Sequence, residues 1–131
     1  MYQNLLKGNL VYGTGKFEGV ALEVLEISDS SVSLGNENGI IQTCNISEIK
    51  PISINSEYLE GLGFEYNNRH RIYIFSEFRA QKLLAQMMRI EIAENIYTIV
   101  NYPSGERIKV DYVHELQNYV SIKFLQKLDI C

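Results

Sequence analysis

The residues in this chain that could do chemistry are few, and most lie late in it. His114-Glu115-Leu116-Gln117-Asn118 stands one residue away from H-E-x-x-H. In that zinc pattern two imidazoles four apart share a helix face and the glutamate between them acts as base. Here asparagine occupies the second ligand position and the only other histidine is His70, so no metal is expected. His114 and Asn118 read instead as hydrogen-bonding to neighbouring backbone or to each other. Gly13-Thr14-Gly15-Lys16 has the glycines of a phosphate cradle, but Leu10 and Phe17 stand at its two flanking key positions, and a hairpin turn accounts for it better. Nucleophilic catalysis needs a serine or cysteine beside a base held by a third group. Cys44 lies within an apolar run, Cys131 is the last residue, and neither histidine has a nucleophile context. The carboxylates form no defensible pair. Neither enzymatic activity nor a cofactor is expected.

The element that must position His114 is the stretch Asp111 to Leu128. Val113, Leu116, Val120, Phe124 and Leu128 recur at three- and four-residue steps, which predicts an amphipathic helix with Asp111 as its cap. The other side carries His114, Gln117, Asn118 and Ser121, a polar row free to face solvent or a ligand. Lys123 and Lys127 lie in the later turns, where cations suit the helix dipole.

Upstream, glycine-containing turns at Gly8-Asn9, Gly13-Thr14-Gly15, Gly35-Asn36 and Asn38-Gly39 separate Leu10-Tyr12, Val20-Ile27, Val32-Leu34 and Ile40-Ile46, all suited to strands. With the extended segment Ile49 to Asn55 around Pro51, they predict a small barrel. Leu22, Val24 and Ile27 should point inward, and Glu18, Glu23 and Glu26 outward. Asn55 is placed to cap a short helix over Ser56-Leu62, which Gly63 ends, with Leu59, Leu62 and Phe64 as core. Phe64-Tyr66 and Arg71-Phe75 flank the turn Asn67-Asn68-Arg69-His70 as a hairpin. Ser76-Met88 fits a helical period, and Arg89-Ala93, Ile96-Tyr102 and Glu106-Val110 read as strands.

The expected fold is therefore α+β. A lobe over residues 1–54, an SH3-like small β-barrel, is followed by a lobe over 55–131, a small antiparallel sheet covered by the C-terminal amphipathic helix. The two lobes could form one compact domain.

Certain motifs, in this order, resemble those of a group of short accessory proteins encoded by phages and integrated elements of gut anaerobes. They are Gly8-Asn9 with Val11, Ile49-Lys50-Pro51-Ile52, Leu59 with Leu62-Gly63-Phe64, and Tyr112-Val113-His114-Glu115-Leu116-Gln117-Asn118. Glu115 departs from the glutamine of that pattern, and Ser76 to Arg89 is longer than the usual connection. The resemblance implies an accessory role for a phage or mobile element and brings no catalytic residues.

With 131 residues, 46% of them apolar, and a net charge of −4, the chain has enough material for a globular core but no cationic field for gripping nucleic acid. Residues 1–55 hold three Lys/Arg against six Asp/Glu, and residues 56–131 hold nine against ten, so neither half is basic. Apolar runs stop far short of the roughly 20 residues that cross a bilayer, and MYQNLLKGNL has neither the basic start nor the cleavage site of a secretory signal. A cytoplasmic protein of the host cell with reduced thiols is expected, and no membrane partner.

Nine tyrosines, among them Tyr73, Tyr97, Tyr102, Tyr112 and Tyr119, offer amphipathic rings for packing or for contact with another molecule. A protein partner or self-association is the leading expectation. The alternative is a small-ligand binder that sequesters a nucleotide signal of host defence, contacted by His114, Gln117, Asn118, Arg107, Lys109 and Tyr112. A nucleic-acid module on the barrel comes third.

Overall fold

In a computed structural model, the protein is described over residues 5–75, 88–124 and 127–128. The chain divides into two compact units, one formed by Met1–Ser53 with Tyr112–Lys127, the other by Ile54–Asp111 with Leu128–Cys131. No helix among the described residues is long and apolar enough to cross a membrane.

The first unit is built on β1 (Leu10–Tyr12), β2 (Ala21–Ile27), β3 (Ser31–Asn36), β4 (Gly39–Asn45) and β5 (Lys50–Pro51). They form one antiparallel sheet in the order β4-β3-β2-β1-β5, so the last strand returns beside the first. The strand pairings run from β4 to β5 as a five-stranded antiparallel sheet, and among the described residues no pairing joins β4 to β5. Alternation along the strands sends Val11, Leu22, Val24, Val32 and Leu34 to one face, where with Ile49 they form a core. Ile27, expected inside, is exposed. The register shift between Val24 and Glu26 sets Ile27 opposite the buried Val32, but Ile27 is the last residue of β2 and stays open to solvent at the strand end.

Connections in this unit are short and self-bonded. The β1–β2 link contains a 3-10 turn at Gly15–Phe17, and a second at Ile46–Glu48 precedes β5. Asn45 and Glu48 close the latter reciprocally, Asn45 Oδ1 accepting the Ser47 amide at 3.0 Å and Glu48 Oε1 the Asn45 amide at 3.3 Å. Gly13 is required by close approach: a Cβ there would lie 2.6 Å from Phe17 Cβ.

The last element of this unit is the helix Val113–Phe124. Sequence reasoning laid it across the second sheet; it groups instead with the first unit, where its side chains bond to the start of β1. The helix starts at Val113, and Glu115 accepts the Tyr112 amide at 2.9 Å while Asp111, the expected cap, lies 3.5 Å from Lys109 in an ion pair.

In the second unit, α1 (Ser56–Gly61) is capped as expected by Asn55, whose Oδ1 accepts the Tyr58 amide at 2.9 Å. Gly63 takes φ +105°, turning the chain into the sheet. That sheet is an antiparallel meander of β6 (Phe64–Asn67), β7 (Ile72–Phe75), β8 (Met88–Ala93), β9 (Ile96–Asn101) and β10 (Arg107–Val110). Asn67 Oδ1 accepts the Arg69 and His70 amides in the β6–β7 turn, and Glu94 and Asn95, both at positive φ, join β8 to β9. Leu59, Leu62 and Phe64 are buried, as the sequence predicted, with Tyr73, Met88, Ile90, Ile99 and Val110. Met88, expected to end a helix, opens β8. The remainder of the helix expected over Ser76-Met88 falls on residues 76–87, outside the described residues.

Candidate functional site

The final helix, which we label α2 (Val113–Phe124), is buried on more sides than its sequence pattern suggests. The apolar row behaves as expected, with Val113, Leu116 and Val120 fully covered. The polar row was expected to face solvent or a ligand, yet His114, Gln117 and Asn118 are each less than a tenth exposed. Buried polar groups must be hydrogen-bonded to be tolerated. Two of these three meet that demand by holding the beginning of the chain.

Gln117 acts as a substitute peptide group. Its Oε1 accepts the Leu10 amide at 2.8 Å and its Nε2 donates to the Gly8 carbonyl at 3.2 Å, satisfying β1 where a further strand would otherwise be needed. Asn118 works one step removed: Asn9 Nδ2 donates to Asn118 Oδ1 at 2.7 Å, and Asn9 Oδ1 accepts the Leu6 amide, also at 2.7 Å. Across 109 positions of sequence, the helix thus fixes residues 6 to 10. Gln42 makes the same kind of lock on the loop after β1, accepting the Thr14 amide at 2.9 Å and donating to the Thr14 carbonyl at 3.0 Å.

His114 is enclosed by the same unit. Its ring stacks on Tyr112 with centroids 5.8 Å apart and planes 12° from parallel. A cavity of about 10 Å³ beside it is lined by Leu5, Val11, Ile46, Ile49 and Pro51. That is room for about one water molecule and not for a nucleotide. In the H-E-x-x-N sequence the three polar side chains therefore diverge: His114 goes to the apolar interior, Glu115 to the Tyr112 amide and Asn118 to Asn9.

Arg107 and Lys109 belong to β10 in the second unit, and each already faces a carboxylate. Arg107 makes a two-pronged ion pair with Glu91 on β8, the longer contact being Nη1 to Oε2 at 3.3 Å. The Arg107 hydrogen bond holds the Glu91 carboxyl below its ordinary pKa, against a smaller opposing effect of burial. Lys109 Nζ lies 3.5 Å from Asp111. Sequence reasoning treated the six candidates as one set of ligand contacts; the structure distributes them over the two units and engages each with a neighbour.

Cys44 is half-buried, and its thiol is pushed above its ordinary pKa by burial and by the Glu48 carboxylate, which outweigh a hydrogen bond with Thr14. A protonated thiol is a poor nucleophile at neutral pH.

The second unit contains an aromatic row that the sequence showed only as tyrosine abundance. Tyr66 on β6 lies opposite Tyr73 on β7, with ring centroids 5.0 Å apart, and Tyr97 on β9 follows 6.4 Å from Tyr73. Burial raises the pKa of Tyr73 and of Tyr97 above the usual phenol value. The row opens to solvent at Tyr66, which is 40% exposed. Elsewhere Arg89 lies over the Tyr102 ring at 4.7 Å, a cation–π contact.

The chain matches no protein-family model, no curated protein and no solved structure.

Proposed function

We propose that this chain is a non-catalytic accessory protein of a phage or mobile element that acts by binding another protein of the phage or its host, and that its first unit is an SH3-like small barrel. The observation that carries the binding mode is the commitment of the polar candidates to internal bonds. Gln117 and Asn118 hold residues 8 to 10, His114 is enclosed, and Arg107 and Lys109 are ion-paired. The candidate groups for a nucleotide are thus already engaged with neighbours of their own.

What remains for recognition is aromatic. Tyr66 presents a rigid ring with a polar tip, backed by the buried Tyr73 and the half-buried Tyr97, and tyrosine is enriched at protein interfaces. The accessory role draws on the resemblance of the Gly8-Asn9, Ile49-Lys50-Pro51-Ile52, Leu62-Gly63-Phe64 and Tyr112–Asn118 motifs. The barrel reading draws on the strand order, with β5 returning beside β1 after a 3-10 turn.

The test is affinity capture from infected and uninfected host lysates with the wild-type chain and with Tyr66→Arg, followed by mass spectrometry. A protein retained by the wild type and lost with Tyr66→Arg is the expected result. The small-ligand reading predicts instead a thermal shift with a nucleotide panel, about 2.7 kcal/mol of added stability at a hundredfold excess over the dissociation constant. Such a shift, abolished by Asn118→Ala, would replace the proposal.

A further inference from the structure

The two ends of the first sheet are protected very differently. β5 is two residues long, Lys50 and Pro51; the proline has no amide to donate and Lys50 puts a charge there. Short length, lysine and proline are the devices by which an edge strand avoids pairing with another chain. At the other end β4 lacks all three, although its register against β3 shifts between Leu34 and Gly35 and leaves Ile41 as an extra residue. Gly39-Ile40-Ile41-Gln42-Thr43-Cys44-Asn45 is seven residues of extended chain without charge or proline, and Ile40 and Ile41 are 55% and 38% exposed. Among the described residues, its backbone bonds to β3 on one side and to no strand on the other.

We infer that β4 is a dimerisation strand, pairing antiparallel with β4 of a second copy so that two five-stranded sheets join into one of ten strands. Charge and topology select that occupant. A chain of net charge −4 repels its own copy wherever carboxylates project, but a two-fold pairing about Gln42 brings only uncharged side chains together. Gln42 falls beside Gln42 of the second copy, and Thr43 beside Ile41, the extra residue of β4. The guarded β5 edge blocks head-to-tail growth, so a β4–β4 contact uses the open edge of both copies and ends the assembly at two. The inference rests on a different surface from the tyrosine row and stands or falls separately from it.

Sedimentation equilibrium of the full chain should give twice its mass of 15.1 kDa, dissociating on dilution. Ile41→Lys and Thr43→Lys, both at solvent-exposed positions, should each weaken association at least tenfold while the circular dichroism spectrum is kept. Ile122→Lys, exposed on α2, should leave association unchanged. Hydrogen exchange should show amides within residues 40–44 slowed in the dimer and fast in the lysine variants. A wild-type monomer at every concentration overturns the inference, as does a dimer indifferent to lysine at both positions. A monomer that still captures a host protein through Tyr66 overturns it too, while leaving the binding reading intact.

Discussion

Gln117 gives both ends of its carboxamide to the backbone of residues 8 and 10, and no other uncharged side chain of similar size supplies a donor and an acceptor there. Gln117→Leu keeps the volume but strands an amide and a carbonyl, each costing about 1–3 kcal/mol when buried. Because both groups are only partly buried, the expected total loss is about 2 kcal/mol, read as a lower urea midpoint with an unchanged slope. Asn118→Ala should lose about 1 kcal/mol through Asn9 and alter no binding. Either substitution sparing stability would mean the helix is held by its apolar row alone. Glu91 makes a pH prediction. Its folded pKa lies below the ordinary value of 4.5, so its contribution is present above that value and disappears as pH falls through the folded one. Arg107→Met should therefore flatten the acid limb of a stability-against-pH curve. The effect should be small beside that of Gln117, since the pair is solvent-exposed.

At the scale of elements, local chemistry decided most of what could be read in advance. Asn55 at a helix start, Gly63 at its end and the Asn67 turn act on neighbours two or three residues away, and each does what its type implies. Asn55→Ala should accordingly cost about 1 kcal/mol, measured by thermal or urea unfolding. Gly35→Ala is the harsher change, because a Cβ there would lie 2.1 Å from the Gly39 carbonyl oxygen across the β3–β4 hairpin. A loss of about 1–3 kcal/mol is expected, with the damage confined to the β4 amides in exchange measurements. The errors came where the deciding partner was distant or the strand ended. Ile27 reads as core until its place as the last residue of β2 is known, and the polar row of α2 reads as open until Asn9 and Leu10 are placed against it. No pattern in 131 residues links position 9 to position 118; only the fold does.

For the molecule as a whole, the connectivity matters more than the element count. The first compact unit takes its strands from residues before 54 and its helix from residues after 111, while the second is formed mainly by the continuous stretch between. A fragment ending at Ser53 lacks Gln117 and Asn118, so it should unfold without a cooperative transition; a peptide spanning 112–127, added separately, should restore one. A fragment of 1–53 that folds unaided would show that the helix is an ornament on a self-sufficient sheet. The same connectivity sets an order of events during synthesis. At about 5–20 residues per second, β1 leaves the ribosome several seconds before the helix that satisfies its backbone. Throughout that interval Leu10 and Gly8 await their final partner, making the nascent amino-terminal sheet the stage at which a chaperone has most to offer.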